Sequence, residues 1–174
     1  MPIEQCLNVV LLLLVSIAAV NDLATRRIPN RLLLAALACA LVLHLLSTNP
    51  GPSLLAALGG MGVGLGIFLP FYLLRGMAAG DVKLMAVVGA FAGPVEAFEI
   101  AMLTWCAGGV MALVMVLARG RMRLAIGNIG RMLAGIMTPG VGLLAPAQEK
   151  SAGAMPYGLA IAIGTVAVLA RHYG

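Results

Sequence analysis

The chain has 174 residues, of which 62% are hydrophobic and only 10% are charged, and its mean hydropathy is +1.07. This composition excludes a soluble domain and predicts an integral membrane protein, with a single membrane-embedded, all-α domain over residues 1–174. A net charge of +5 could indicate nucleic-acid binding, but the basic residues cluster between apolar runs without interleaved aromatic residues. They indicate a topology signal or contacts with membrane lipids, so no nucleic-acid partner is expected.

The three cysteines, Cys6, Cys39 and Cys106, stand in separate apolar runs, and the chain has no CxxC pair. This pattern predicts neither a disulfide framework nor a zinc site. Buried apolar thiols are expected at all three positions, and no motif implies a metal or a cofactor.

The first predicted element is the apolar run over residues 6–20. A secretory signal peptide would begin with a basic segment, and residues 1–5 carry no Lys or Arg, so the run is interpreted as the first membrane span. A polar connection over 21–31 follows. Its Pro29 disfavours helix at the preceding residue and can start the next helix.

The second span is predicted over residues 32–46. Its His44 lies near the far end and is expected to be an interfacial, hydrogen-bonded side chain rather than a metal ligand. Residues 49–52, with two prolines and a glycine, predict a turn. The third span, 54–74, has glycines three and four residues apart, a spacing that lets helices pack closely in lipid.

The fourth element is a short apolar segment over residues 84–92, about a dozen residues long when counted from Asp81. A full span needs about 20 residues, so a short or partly re-entrant helix is expected. A long fifth span follows over 97–118. Glu96 and Glu99 precede or begin it and are expected at the interface opposite Asp81.

The densest group of arginines lies over residues 119–131. The apolar residues among them indicate either a helix on an anionic membrane surface or a loop that anchors the topology. Residues 137–154 are predicted to form a loop, and the sequence does not define the path of 124–154. A final span is predicted to start around residue 155 and to run to about Ala170.

Basic residues are distributed unevenly if the chain has six membrane segments. Ten of the eleven then fall on one side and Arg171 on the other. The ten are Arg26, Arg27, Arg31, Arg75, Lys83, Arg119, Arg121, Arg123, Arg131 and Lys150. Because basic loops remain in the cytoplasm, the N-terminus is predicted outside, with Asp22 and Asp81 at the cytoplasmic ends of their segments.

Asp22 and Asp81 are the two aspartates of the chain, and each lies where an apolar segment meets a short basic one. An ionisable group at membrane depth costs about 2.5 to 3.5 kcal/mol, which makes it a candidate functional residue. Two carboxyl groups close together in a partly dry site cannot easily both ionise, so one keeps a proton and the other is a base. Such a pair can activate water against a peptide carbonyl without a metal or a covalent nucleophile.

Other interpretations of the aspartates remain open on these residues alone. Each can cap a helix, and Asp81 is well placed at the N-terminus of the segment that follows it; a cap or interfacial role and a functional pair are equally supported. A proton-coupled small membrane carrier can use an aspartate at a broken helix, although no inverted halves are detected. A purely structural, non-catalytic subunit is a further alternative.

Three short segments stand out in chain order: Asp22 with Arg27-Ile28-Pro29-Asn30, then Ala78-Ala79-Gly80-Asp81-Val82-Lys83-Leu84, then Pro156-Tyr157-Gly158. In this order they resemble the motifs of the type IV prepilin peptidase family, whose members are membrane aspartyl proteases with a GxGD-type motif. Each segment is weak by itself, and together they are specific. A non-catalytic subunit of pilus or secretion assembly is an alternative to an active peptidase.

The resemblance implies that Asp22 and Asp81 are a catalytic pair that cleaves the basic leader of prepilin or pseudopilin precursors. This cleavage is expected at the cytoplasmic face of the bacterial inner membrane. Alanine at position 78 replaces the first motif glycine and would resist a turn that needs positive φ. Lys83 is expected to point away from Asp81 towards lipid headgroups.

Longer family members carry a cytoplasmic insertion with cysteine pairs, which is associated with methylating the new N-terminus. This chain has no such insertion in its sequence. It is similar to the short form found in tight-adherence (Flp-type) pilus systems, so peptidase activity without N-methyltransferase activity is expected.

Overall fold

The computed structural model describes residues 3–74, 76–118 and 156–173. These residues form helices and no strands: α1 (Ile3–Thr25), α2 (Asn30–Leu45), α3 (Pro50–Leu73), α4 (Ala79–Ala92), α5 (Pro94–Ala118) and α6 (Tyr157–Tyr173). By length and composition α1, α3 and α5 can each cross a membrane, and α2 and α6 are shorter apolar helices. The predicted all-α, polytopic membrane class is confirmed, and so is the short fourth helix.

The chain divides into two compact units, Met1–Gly108 with Pro156–Gly174, and Gly109–Met155. The contacts among α1, α2, α3, α4 and α6 lie within the first unit. In the second unit the described residues, 109–118, are the last turns of α5. The arginine-rich segment over 119–131 and the path of 124–154 lie outside the described residues.

Two predicted boundaries are wrong, each because polar or turn-forming residues are part of a helix. Helix α1 continues through the predicted polar connection to Thr25, whose Oγ1 donates a 2.9 Å hydrogen bond to the Asn21 carbonyl one turn earlier. The helix ends at Thr25 because the next residue, Arg26, has a φ of 55°. Helix α3 starts within the predicted turn, at Pro50, because proline fits the first turn of a helix, where its missing N–H is not needed.

Helix α4 is the buried centre of the first unit. It contacts α1, α2, α3 and α6, and all its residues from Leu84 to Phe91 are buried. A helix that is apolar on all sides is expected to be enclosed, and a short helix at membrane depth needs protein around its ends. The short helix predicted for this segment is therefore enclosed by other helices.

Helices α3 and α4 approach closely because glycines leave out side chains at their contact. A Cβ added to Gly60 would clash with the Gly89 carbonyl, and a Cβ added to Gly89 would clash with the Gly60 carbonyl. A Cβ at Gly64 would lie 2.5 Å from the Met85 carbonyl oxygen. Glycines in the third span thus have the packing role expected from their spacing.

His44 joins three helices at the end of α4 that lies away from Asp81. Its Nδ1 is 2.6 Å from the Ser53 hydroxyl, and its Nε2 is 2.9 Å from the Ala90 carbonyl oxygen. That carbonyl would normally accept from the amide four residues later, but this residue is Pro94, which has no N–H. His44 therefore satisfies a carbonyl that the helix cannot, and the predicted hydrogen-bonded histidine is confirmed, although its side chain is only 5% exposed.

The expectation of buried thiols is wrong for two cysteines. Cys39 and Cys106 are exposed on the helix surfaces, and only Cys6 is half-buried. All three are free. The error has a physical cause: in a membrane protein an apolar run covers lipid-facing and buried positions alike, so apolar neighbours do not indicate burial within the protein.

Candidate active site

Asp22 lies in the last turn of α1 and is only 5% exposed. It continues the stripe of α1 that packs inward, because the buried residues Leu11, Val15 and Ala18 precede it at helical spacing. Its Oδ2 accepts a 2.7 Å hydrogen bond from the backbone amide of Gly158, in the first turn of α6. A carboxylate at a helix N-terminus is stabilised by the unpaired amides and the helix dipole there.

Asp81 lies in the first turn of α4 and is only 7% exposed. The N-cap of this helix is Ala78, which makes no side-chain capping bond, and the Asp81 carboxyl interacts with the Ala78 backbone. It also interacts electrostatically with Asp22. Asp81 therefore interacts both with the start of its own helix and with the second aspartate, so a capping role does not exclude a role in a pair.

The segment after α1 lies against the start of α4. A Cβ added to Gly80 would be 3.5 Å from Cβ of Ile28, which is an ordinary contact, and Lys83 Nζ donates a 3.3 Å hydrogen bond to Asn30 Oδ1. Pro29 stands between these contacts as the residue preceding α2. The first two sequence motifs therefore touch each other, and the exposed Lys83 connects them.

Alanine at position 78 is compatible with the backbone. Its φ is −80° and its ψ is 148°, an extended conformation that any L-residue adopts. The expected difficulty with positive φ does not arise, since the residues with positive φ among those described are Arg26 and Gly93. The departure from the motif therefore does not strain the turn before Asp81.

The third motif, Pro156-Tyr157-Gly158, lies at the end of the helices that carries Asp22. Pro156 and Gly158 are buried, and Tyr157 is half-buried. The Tyr157 ring packs against α5, where a Cβ on Gly108 would be 3.3 Å from both Cζ and the hydroxyl oxygen. The tyrosine also interacts electrostatically with Asp81. Gly108 was not predicted as part of the site, and only its position next to a second glycine could have drawn attention to it.

Other polar candidates lie elsewhere. Glu99, near the start of α5, forms an ion pair of 3.4 Å with the exposed Arg171 near the end of α6. Glu96 is in the first turn of α5, directly after the end of α4 that His44 holds. Both glutamates are thus at the end of α4 opposite Asp81, as expected from their sequence positions.

The comparisons with known proteins give a family match. The sequence profile of the type IV leader peptidase family matches residues 9–116, more than half of the chain, and the match includes both aspartates. No curated protein and no solved structure matches the chain. The profile match ends within α5, so the contact between α6 and Asp22 is known from the structure alone. On the extent of this match, the chain belongs to the type IV leader peptidase family.

Proposed function

We propose that the protein is a prepilin leader peptidase in which Asp22 and Asp81 are the catalytic pair. The observation that carries this proposal is that two buried carboxyl groups, one in the last turn of α1 and one in the first turn of α4, are near enough to interact electrostatically. Family membership supports a peptidase, and buried acidic residues within a membrane protein are more often functional than structural.

The pair provides both an acid and a base. We assign Asp22 as the base, because the Gly158 amide holds its carboxylate in place, and Asp81 as the partner that holds the shared proton. Asp22 takes a proton from water as the water oxygen bonds to the peptide carbon. The carbonyl π electron pair moves to the oxygen, to which Asp81 donates a hydrogen bond. When the C–N bond breaks, the amine receives one proton and the pair again holds one.

The chemistry of the substrate fits the position of the pair. A prepilin has a basic leader followed by an apolar helix, so its scissile bond lies naturally at the membrane interface. Both aspartates lie at helix ends near the exposed basic residues Arg26, Arg27 and Lys83. Basic segments favour the cytoplasmic side, which supports a multi-pass protein of the inner membrane with its site facing the cytoplasm. We also propose that it has no N-methyltransferase activity.

Purified Asp22→Asn and Asp81→Asn variants, each mixed with a prepilin, test the proposal. Both should accumulate in the membrane yet fail to produce the gel shift of a shortened pilin. Glu99→Gln, which removes a carboxylate at the opposite end of α4, is the matched control and should cleave normally. Processing at the wild-type rate by both aspartate variants would exclude the catalytic pair. Solute flux into proteoliposomes without cleavage would instead support a carrier. If the protein tolerates both changes, a structural subunit would be supported.

A further inference from the structure

Two independent contacts hold Tyr157 and its helical turn at the candidate active site. The next residue, Gly158, holds Asp22 through its amide, which fixes the backbone on one side of the tyrosine. The phenol then lies against α5 at a position without a side chain, since a Cβ on Gly108 would be 3.3 Å from its hydroxyl oxygen. Backbone and ring are thus both held, so the direction of the hydroxyl is set by packing.

The Tyr157 hydroxyl makes no hydrogen bond to another residue in the described part of the chain. It belongs to a half-buried side chain, and the hydrogen bonds between described residues include none from this oxygen. It nevertheless interacts electrostatically with Asp81. A phenol O–H and a protonated carboxyl that are near enough to interact without a hydrogen bond between them can both donate to a third group that binds beside them.

The proposed reaction creates such a third group. When water adds to the scissile peptide, the carbonyl oxygen becomes an oxyanion that needs donors placed in advance. A tyrosine paired with a protonated aspartate is one known way to hold an oxyanion, as in ketosteroid isomerase. We propose that the Tyr157 hydroxyl donates the second hydrogen bond to this oxyanion, beside Asp81. This inference rests on the peptidase function proposed above.

The first turn of α6 then serves both halves of the reaction. Gly158 orients Asp22, which takes the proton from water, and Tyr157 stabilises the oxygen that gains the electron pair. No additional proton is transferred, because the tyrosine donates a hydrogen bond and keeps its proton throughout. The position of α6 relative to α1 and α5 therefore determines whether the base and the oxyanion donors are aligned together.

Tyr157→Phe is the direct test, because phenylalanine keeps the ring against Gly108 and loses only the hydroxyl. Steady-state cleavage of a prepilin by the purified variant should show kcat lowered about 100-fold or more, as for loss of one oxyanion donor, with KM within about twofold. Thermal unfolding should remain at the wild-type midpoint. If Tyr157 only packs, kcat of this variant stays within about twofold of wild type, and that result overturns the proposal.

Gly108→Ala provides a second approach that leaves the hydroxyl in place. Its new methyl group must push the phenol aside, so kcat should fall at least about tenfold, whereas Gly109→Ala, next to open space, should cleave normally. Unchanged kcat in Gly108→Ala would count against the required hydroxyl position. Asp22→Asn and Asp81→Asn, assayed in parallel, distinguish failure of the peptidase proposal from failure of the tyrosine proposal. If both aspartate variants are inactive while Tyr157→Phe is fully active, only the role of the tyrosine is rejected.

Discussion

The backbone amide of Gly158 donates a 2.7 Å hydrogen bond to Oδ2 of Asp22 and joins the first turn of α6 to the last turn of α1. The two residues are far apart in the chain, and Gly158 lies outside the region that matches the family profile. The contact makes α6 part of the candidate active site. It also explains why a glycine stands there, because a side chain at this position would press on the carboxylate.

Gly158→Ala should impair cleavage while leaving the protein folded. Its Cβ would lie 3.0 Å from both Cβ and Oδ2 of Asp22, so the aspartate must shift. Because misplacing a catalytic group by about 1 Å can cost about 100-fold in rate, we expect kcat to fall between about tenfold and 100-fold. The measurement is the rate of prepilin cleavage per amount of folded protein, with Gly66→Ala in open space on α3 as the control. Equal rates for the two variants would show that Asp22 tolerates displacement.

Gly60→Ala and Gly89→Ala should destabilise the contact between α3 and α4. Each methyl group would meet the backbone of the facing helix, which cannot move aside as a flexible side chain can. Overpacking of this kind typically costs about 1 to 3 kcal/mol. Thermal unfolding in detergent should show a lower midpoint for both variants, whereas Gly62→Ala, with nothing within 4 Å, should unfold at or above the wild-type midpoint. A Gly60→Ala variant as stable as Gly62→Ala would contradict the close approach of the two helices.

His44→Leu should lower stability more than activity. Leucine fills much of the same space but leaves the Ala90 carbonyl without a donor, because Pro94 cannot supply one. An unpaired buried acceptor costs about 1 to 3 kcal/mol, so the unfolding midpoint should drop by several degrees. Ser53→Ala removes only the hydroxyl on the other ring nitrogen, and it should have a smaller effect. Cleavage per folded molecule should stay near wild type in both, since His44 lies at the end of α4 away from Asp81.

Lys83→Met should be nearly neutral despite its proximity to Asp81 in sequence. The side chain is exposed, and so is its 3.3 Å hydrogen bond to Asn30. Surface substitutions of this kind usually change stability by about 0.5 kcal/mol or less, so accumulation and cleavage should stay within about twofold. Asn30→Ala removes the same bond from the other side and is the matched variant. A loss of cleavage in Lys83→Met alone would indicate that the ammonium group contacts an acidic part of the substrate.

Much of the architecture could be predicted from composition and the order of apolar runs. The membrane class, the short fourth helix and the tight packing of the third span follow from length and small-residue spacing, which depend on neighbouring residues only. Helix ends were less predictable. Helix α1 extends past Asn21 and Asp22 because the side chains of Asn21 and Thr25 donate hydrogen bonds to carbonyls of their own helix. Helix α3 begins at a proline that was expected in a turn.

By itself, the sequence identifies two scarce acidic residues, places them beside basic segments and connects them with a family of peptidases. Only the tertiary structure brings the Asp22 carboxylate to Gly158, Tyr157 to Gly108, and His44 to the carbonyl that Pro94 leaves unpaired. The reason is physical. In water, apolar periodicity marks the buried face of a helix, but in lipid the outer face is apolar as well, so the pattern does not say which faces meet. Contacts between distant helix ends therefore depend on how the whole bundle packs.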